Sequence, residues 1–300
     1  MAQAKRVILL YGRTRSGKTS QIGELAKDVR IKLGKKSLVY TIDKGGLGPI
    51  APHIKAGIID VISIENTDPW IFMNKASQGL VRGVDGKGWV PAKLEDYGMI
   101  AFESLTGFSD AFMNSLAEKA AQGVNIGGQA NVNFLVTDGT ESLKIGGSNM
   151  GHYNVVQTRI LTEFWASQKL NVPFILWTAS ATRDEDPNAT GKVIGPAVAG
   201  KALTSELPRH CDLCFRIDCL PAQAGKEERH ILYLGNSLDL AAGNATSLGN
   251  TRVPMGAKAL PATIEPASLV KALELIETAE KEAEVKVMNE IKEGMKQIRM

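Results

Sequence analysis

Hydrophobic positions along the chain fall into two rhythms, short unbroken apolar runs and longer stretches in which apolar residues recur three and four apart; the first predict buried strands and the second helices. Arg6 to Tyr11 (RVILLY) predicts a strand, and Thr19 to Leu33 a helix with Ile22, Leu25, Ala26 and Val29 on one face, stopped by Gly34. Ser37 to Asp43 and Ile58 to Glu65 predict two more strands, each finished by an acid. A short helix is expected over Trp70 to Gln78, a surface hairpin between Gly79 and Pro91, and a strand over Tyr97 to Thr106 (YGMIAFESLT) that ends in an acid followed by a hydroxyl residue. Ser109 to Gln122 reads as an amphipathic helix, Gly123 to His152 as a long loop poor in helix formers, and Asn154 to Gln168 as a helix leading into the strand Pro173 to Ala179. Ser180 to Gly200 reads as a second loop, Lys201 to Leu207 as a short helix, and Cys211 to Cys219 with Arg229 to Gly235 as paired strands. The stretch 236–266 is loop-rich. Pro266 to Met300 predicts a helix dense in Glu and Lys, whose apolar register lapses at Glu280 and Glu284. Such a helix suits docking on its own domain or a neighbouring subunit better than a long coiled coil.

Strand and helix alternate, so the expected fold class is α/β, a mainly parallel central sheet flanked by helices with a C-terminal helical tail. A division into a domain over 1–255 and a linker with terminal helix over 256–300 follows. Composition adds bounds. A 44% hydrophobic content in 300 residues suffices for a large core, and a formal charge of +3 neither requires nor excludes a nucleic-acid partner. Cys211, Cys214 and Cys219 lie too close together for a disulfide framework and read as strand thiols in preference to a zinc set. No signal segment or long apolar run appears, so a soluble, cytoplasmic protein with no membrane partner is expected.

The sharpest chemical signal joins the first strand to the first helix. Gly12-Arg13-Thr14-Arg15-Ser16-Gly17-Lys18-Thr19 fits the phosphate-loop pattern G-x-x-x-x-G-K-[ST], and strand, loop and helix coincide there. Backbone N–H groups of such a loop, with the positive end of the following helix, cradle phosphates; Gly12 and Gly17 keep side chains out of the way, and Lys18 adds a full charge. Gly12, Arg13, Thr14, Arg15, Ser16, Gly17, Lys18, Thr19 and Ser20 are the expected nucleotide contacts, with ATP and Mg²⁺ as cofactors. Thr19 offers Mg²⁺ a hydroxyl, and Glu103, at the end of the YGMIAFE strand, has the place of a Walker B carboxylate. Most such motifs carry Asp, and the extra methylene of Glu103 moves the carboxylate outward. Asp43 and Glu65 are the candidates for orienting an attacking water. Thr178 or Ser180, at the end of a later strand, stands where a polar group could sense the terminal phosphate.

In this order the pieces resemble the RecA-like ATPases, and are similar to the short phage-encoded RecA-like proteins of the AAA ATPase class, some of which promote single-strand annealing. Gly147-Ser148-Asn149-Met150-Gly151 looks like the end of a first DNA-binding loop, and Gly200-Lys201-Ala202-Leu203 like the exit of a second, before the strand containing Phe215-Arg216-Ile217-Asp218; Gly195-Pro196 with Gly200-Lys201 resembles the Gly-Pro and Gly-Lys stretch before the final strands of the phage-encoded proteins. The resemblance covers roughly 6–235 and implies a RecA-like P-loop core, ATP hydrolysis, a homo-oligomer and action on single-stranded DNA in recombination or annealing. Lys144, His152, Tyr153, Arg183 and Lys192 are then the candidate DNA contacts. Two positions depart from the pattern: the neighbourhood of Asp43-Lys44-Gly45 has no catalytic Glu, and Glu103 replaces Asp. Rival readings are a nucleotide-binding assembly protein with weak hydrolysis, and a P-loop kinase, for which the second loop has few arginines. A GTPase is not supported, because the chain has no N/T-K-x-D motif.

Overall fold

The computed structural model describes residues 5–43, 46–65, 67–84, 86, 88–122, 132–138, 141–147, 150–185, 192–220, 228–235, 237–239, 245–247, 250–251 and 259–298. The strands are β1 (Arg6–Gly12), β2 (Lys36–Thr41), β3 (Ile59–Ser63), β4 (Leu80–Arg82), β5 (Trp89–Pro91), β6 (Tyr97–Glu103), β7 (Val132–Asp138), β8 (Glu141–Gly147), β9 (Phe174–Glu185), β10 (Lys192–Pro196), β11 (Leu213–Leu220), β12 (Arg229–Tyr233) and four short ones, β13 (Ser237–Asp239), β14 (Ala245–Ser247), β15 (Asn250–Thr251) and β16 (Thr263–Ile264). The helices are α1 (Lys18–Leu33), α2 (Ala51–Lys55), α3 (Pro69–Ser77), α4 (Leu105–Ala121), α5 (Met150–Ser167), α6 (Lys201–Glu206) and α7 (Leu269–Ile298).

Six strands run parallel in the order β3, β2, β6, β9, β1, β11, and β12 and β16 extend the sheet antiparallel beyond β11. Both faces are covered, which is why the central strands are apolar without alternation. Val7, Leu9 and Tyr11 pack with Phe72, Phe108, Phe112, Phe164 and Trp177 from α3, α4, α5 and β9 on one face. Ile8 and Leu10 pack with Ile22, Leu25 and Val29 of α1 and Leu269, Leu273 and Ile276 of α7 on the other. The fold is therefore α/β, a mostly parallel central sheet flanked by helices with a C-terminal helix.

Where the structure differs from the expectation, strand pairing explains it. The stretch read as a long loop over 123–152 contains the antiparallel hairpin of β7 and β8, in which Phe134 stands opposite Ile145 and Val136 opposite Leu143. Glycine-rich flanks hide that period of two. The second loop is likewise in part a hairpin, because β9 continues past Ala179 and its outer half pairs with β10. Helix α4 starts four residues before the expected Ser109, as Ser104 caps it by accepting from Gly107 N at 3.1 Å.

The first half of α7 is docked. Gln21 on α1 accepts from Leu269 N at 2.6 Å and donates to Ala267 O at 3.2 Å, Lys32 pairs with Glu274 at 3.0 Å, and Arg6 pairs with Glu280. In the second half Val287, Met288, Ile291 and Met295 are exposed. The expected domain boundary at 255 lies outside the described residues. Among the described residues no helix is long and apolar enough to cross a membrane.

Candidate functional site

The phosphate-loop segment leaves the carboxyl end of β1 and enters α1. Gly17 closes it with φ 97° at the helix N-cap and makes no side-chain capping bond, so the first amides of α1 have no capping side chain and point toward the loop. A Cβ at Gly12 would meet Ile217 O of β11 at 2.0 Å, so this glycine also lets β1 and β11 pair closely. Ser16 is fully buried, and its hydroxyl makes no hydrogen bond to a described residue.

Lys18 Nζ donates to the carbonyls of Gly12 and Arg13, at 2.9 Å each, and so lies folded along its own loop. Burial lowers its pKa, and Glu103 works in the opposite direction. Glu103 is 6% exposed and accepts from Thr19 Oγ1 at 2.9 Å on one oxygen and from Thr178 Oγ1 at 2.7 Å on the other. Its pKa is raised by burial, against the lowering effects of the Thr178 and Thr19 hydroxyls and of Lys18. Parallel pairing explains the convergence: β6 and β9 are neighbours in register, Phe102 opposite Trp177, so the next positions, Glu103 and Thr178, meet at the sheet edge.

Lys18, Thr19 and Glu103 line a cleft of about 640 Å³ at the carboxyl edge, together with Thr14, Arg15, Ser20, Asp43, Ser180 and His230. Asp43 follows β2 and is exposed, its backbone held by the Thr41 hydroxyl, which donates to Asp43 O at 3.0 Å and accepts from Asp43 N at 3.1 Å. Glu65 follows β3, is exposed, accepts from the Ser63 hydroxyl at 3.3 Å, and is not among the residues lining the cleft. Arg13 points away toward Asp218, 3.9 Å distant. Thr106 ties the cleft to the β9–β10 arm by accepting from Ser180 N at 2.9 Å and donating to Ala197 O at 2.7 Å.

An anion cradle, an ammonium and two hard oxygen donors 2.9 Å apart make a donor set suited to a magnesium-bound phosphate chain: Thr19 and Glu103 could hold the metal, and Lys18 with the loop amides the phosphates. Of the expected DNA contacts, two side chains are described. His152 is fully buried near the start of α5 and in this structure presents no surface to a polymer, whereas Tyr153 is half-buried. The side chains of Lys144, Arg183 and Lys192 lie outside the described residues.

Thr178 is marked in sequence by its place at a strand end, but its bond to Glu103 is not, because that bond depends on the register of β9 with β6. One residue of the lining is missed altogether. His230 gives no signal at all: it reaches the loop because β12 pairs with β11, and its Nδ1 lies 3.0 Å from Ser16 O.

No protein-family model matches the chain, and no curated protein sequence does. Among solved structures, the crystal structure of the RadB recombinase is similar, with a TM-score of 0.42 and 14% identity over 77% of this chain and 81% of that one.

Proposed function

We propose that this chain binds ATP with Mg²⁺ in the carboxyl-edge cleft and hydrolyses it, and that single-stranded DNA is the polymer it acts on. The observation that carries the nucleotide reading is the meeting of Lys18, Thr19 and Glu103 at one point, from a loop and a strand far apart in sequence. Bound Mg²⁺ would neutralise charge developing on the transferred phosphoryl group. Thr19 and Glu103 would hold that ion, and Lys18, now bonded to two loop carbonyls, would turn to the phosphate oxygens.

Glu103 is a poor general base here, since both its oxygens already accept hydrogen bonds. Asp43 is the better candidate for orienting water: it lines the cleft and is exposed, whereas Glu65 stands outside the lining. With a shorter carboxylate in this role, slow turnover follows. A kinase reading is weaker, because of the loop arginines Arg15 lines the cleft while Arg13 is turned toward Asp218.

The DNA part rests on the resemblance of the segments around Gly147–Gly151 and Gly200-Lys201. The contacts from Thr106 to Ser180 and Ala197 provide a physical route from the cleft to the second of these. Assembly into a homo-oligomer belongs to the same proposal. The test is phosphate release with and without Mg²⁺, run beside a titration of labelled oligonucleotide at rising salt. Magnesium-dependent release and binding that weakens steadily with salt are expected. Phosphate appearing on a nucleoside acceptor would contradict the hydrolase, and no oligonucleotide binding at low salt with MgATP would contradict the DNA assignment.

A further inference from the structure

The antiparallel hairpin of β11 and β12 brings a thiol, a carboxylate and an imidazole together beside the phosphate loop. Cys219 stands directly opposite His230 in register, and one ligand atom from each of Cys219, Glu228 and His230 lies within 4.8 Å of the other two. The Cys219 thiol donates to a Glu228 carboxylate oxygen. Cys211 and Cys214 take no part: both are buried, and Cys214 lies five positions before Cys219, which puts the two on opposite faces of β11.

The geometry points to a zinc site formed by Cys219, Glu228 and His230, set against the phosphate loop through the contact of His230 with Ser16. Zinc takes thiolate, imidazole and carboxylate together, and tetrahedral coordination places such donor atoms about 3.3–3.7 Å apart. Binding needs shifts of roughly an ångström: the Glu228 oxygen, now in hydrogen-bond contact with the sulfur, moves away from it to the ligand spacing, which its exposed side chain allows. His230 has the outer hydrogen bond that a ligating histidine uses. With Nδ1 donating to the Ser16 carbonyl at 3.0 Å, the ring lone pair is on Nε2, and a backbone carbonyl on the far nitrogen is the usual outer partner of a ligating histidine. Arg229, between two of the ligands in sequence, is taken up by an ion pair with Glu265 and does not compete for Glu228. When the ion binds, the sulfur–metal bond replaces the S–H bond and the proton leaves to solvent. Three protein ligands leave a fourth position for water.

The site is tested on the full, tag-free chain after chelator treatment, by titrating Co²⁺ without oxygen and then displacing it with Zn²⁺. The expected result is a thiolate-to-cobalt charge-transfer band that saturates at one ion per chain. Cys219→Ser abolishes it, and Glu228→Gln weakens cobalt and zinc about tenfold or more. A chain with no saturable band, or a band that survives Cys219→Ser, overturns the assignment. Should Cys219→Ser fail to fold, Glu228→Gln alone decides, because that side chain is exposed and its loss does not disturb the core; unchanged metal affinity in it is equally contrary.

Discussion

Among single residues, Glu103 is held against its own charge. A carboxylate this buried is costly to ionise, and the hydroxyls of Thr19 and Thr178 only partly compensate, so its pKa stays raised in the folded chain. The sign is then fixed. A raised carboxyl binds its proton more tightly folded than unfolded, so the contribution of Glu103 to stability is greatest at low pH and falls as pH rises from the ordinary glutamate range through the raised value. Glu103→Gln removes that loss. Without nucleotide it is expected to raise Tm at neutral pH by about 2–4 °C, as roughly 1 kcal/mol does in a domain of this size, with the gain vanishing near pH 4. Differential scanning fluorimetry across pH checks it, and a gain that does not depend on pH would contradict the explanation. The same substitution should leave ATP bound but cut magnesium-dependent phosphate release at least about tenfold. Gly12→Ala has a different cause and a different sign: its Cβ would run into Ile217 O, and a loss of about 1–3 kcal/mol in denaturant unfolding is expected even without ligand.

Among the elements, α7 divides into a half that belongs to the core and a half that does not. Ile276 is 1% exposed against α1, so Ile276→Ala should cost about 2–5 kcal/mol. Ile291 and Met295 are about half exposed, so Ile291→Ser with Met295→Ser should leave the unfolding midpoint unmoved; a fall as large as that of Ile276→Ala would mean that the distal half is packed. The sequence shows this division only faintly, as the lapse at Glu280 and Glu284, because Arg6, the partner of Glu280, lies at the other end of the chain. The same limit governs the rest. RVILLY, SLVYTID and YGMIAFE announce buried parallel strands by composition, and the phosphate loop by local spacing. Hairpins such as β7 with β8, and the extension of β9, depend on cross-strand register, which a glycine-rich sequence does not display. Glu103 and Asp43 are legible because each ends an apolar run. Glu65 is legible by the same rule and yet stands outside the cleft, since strand order, which no single run encodes, sets β3 at the sheet edge. His230 is invisible for that same reason.

Across the molecule, the parallel sheet collects chain ends that are remote in sequence along one edge, and the cleft lies there. Thr106 and Ser180 extend that edge toward the β9–β10 arm, so nucleotide state and the conformation of the arm are expected to be linked. If so, MgATP and MgADP should give different oligonucleotide affinities in the same titration, and equal affinities would argue against the link. Light scattering with ATP, with ADP and without nucleotide measures assembly in the same preparations, with a nucleotide-dependent mass expected.

The phosphate cradle underlies the nucleotide-dependent expectations, and calorimetric titration of MgATP into the intact chain and into Lys18→Ala tests it without recourse to DNA or turnover. Binding of one nucleotide per chain, lost or weakened at least about a hundredfold when the Lys18 ammonium is removed, is the predicted result. Equal affinity in the two proteins would contradict it.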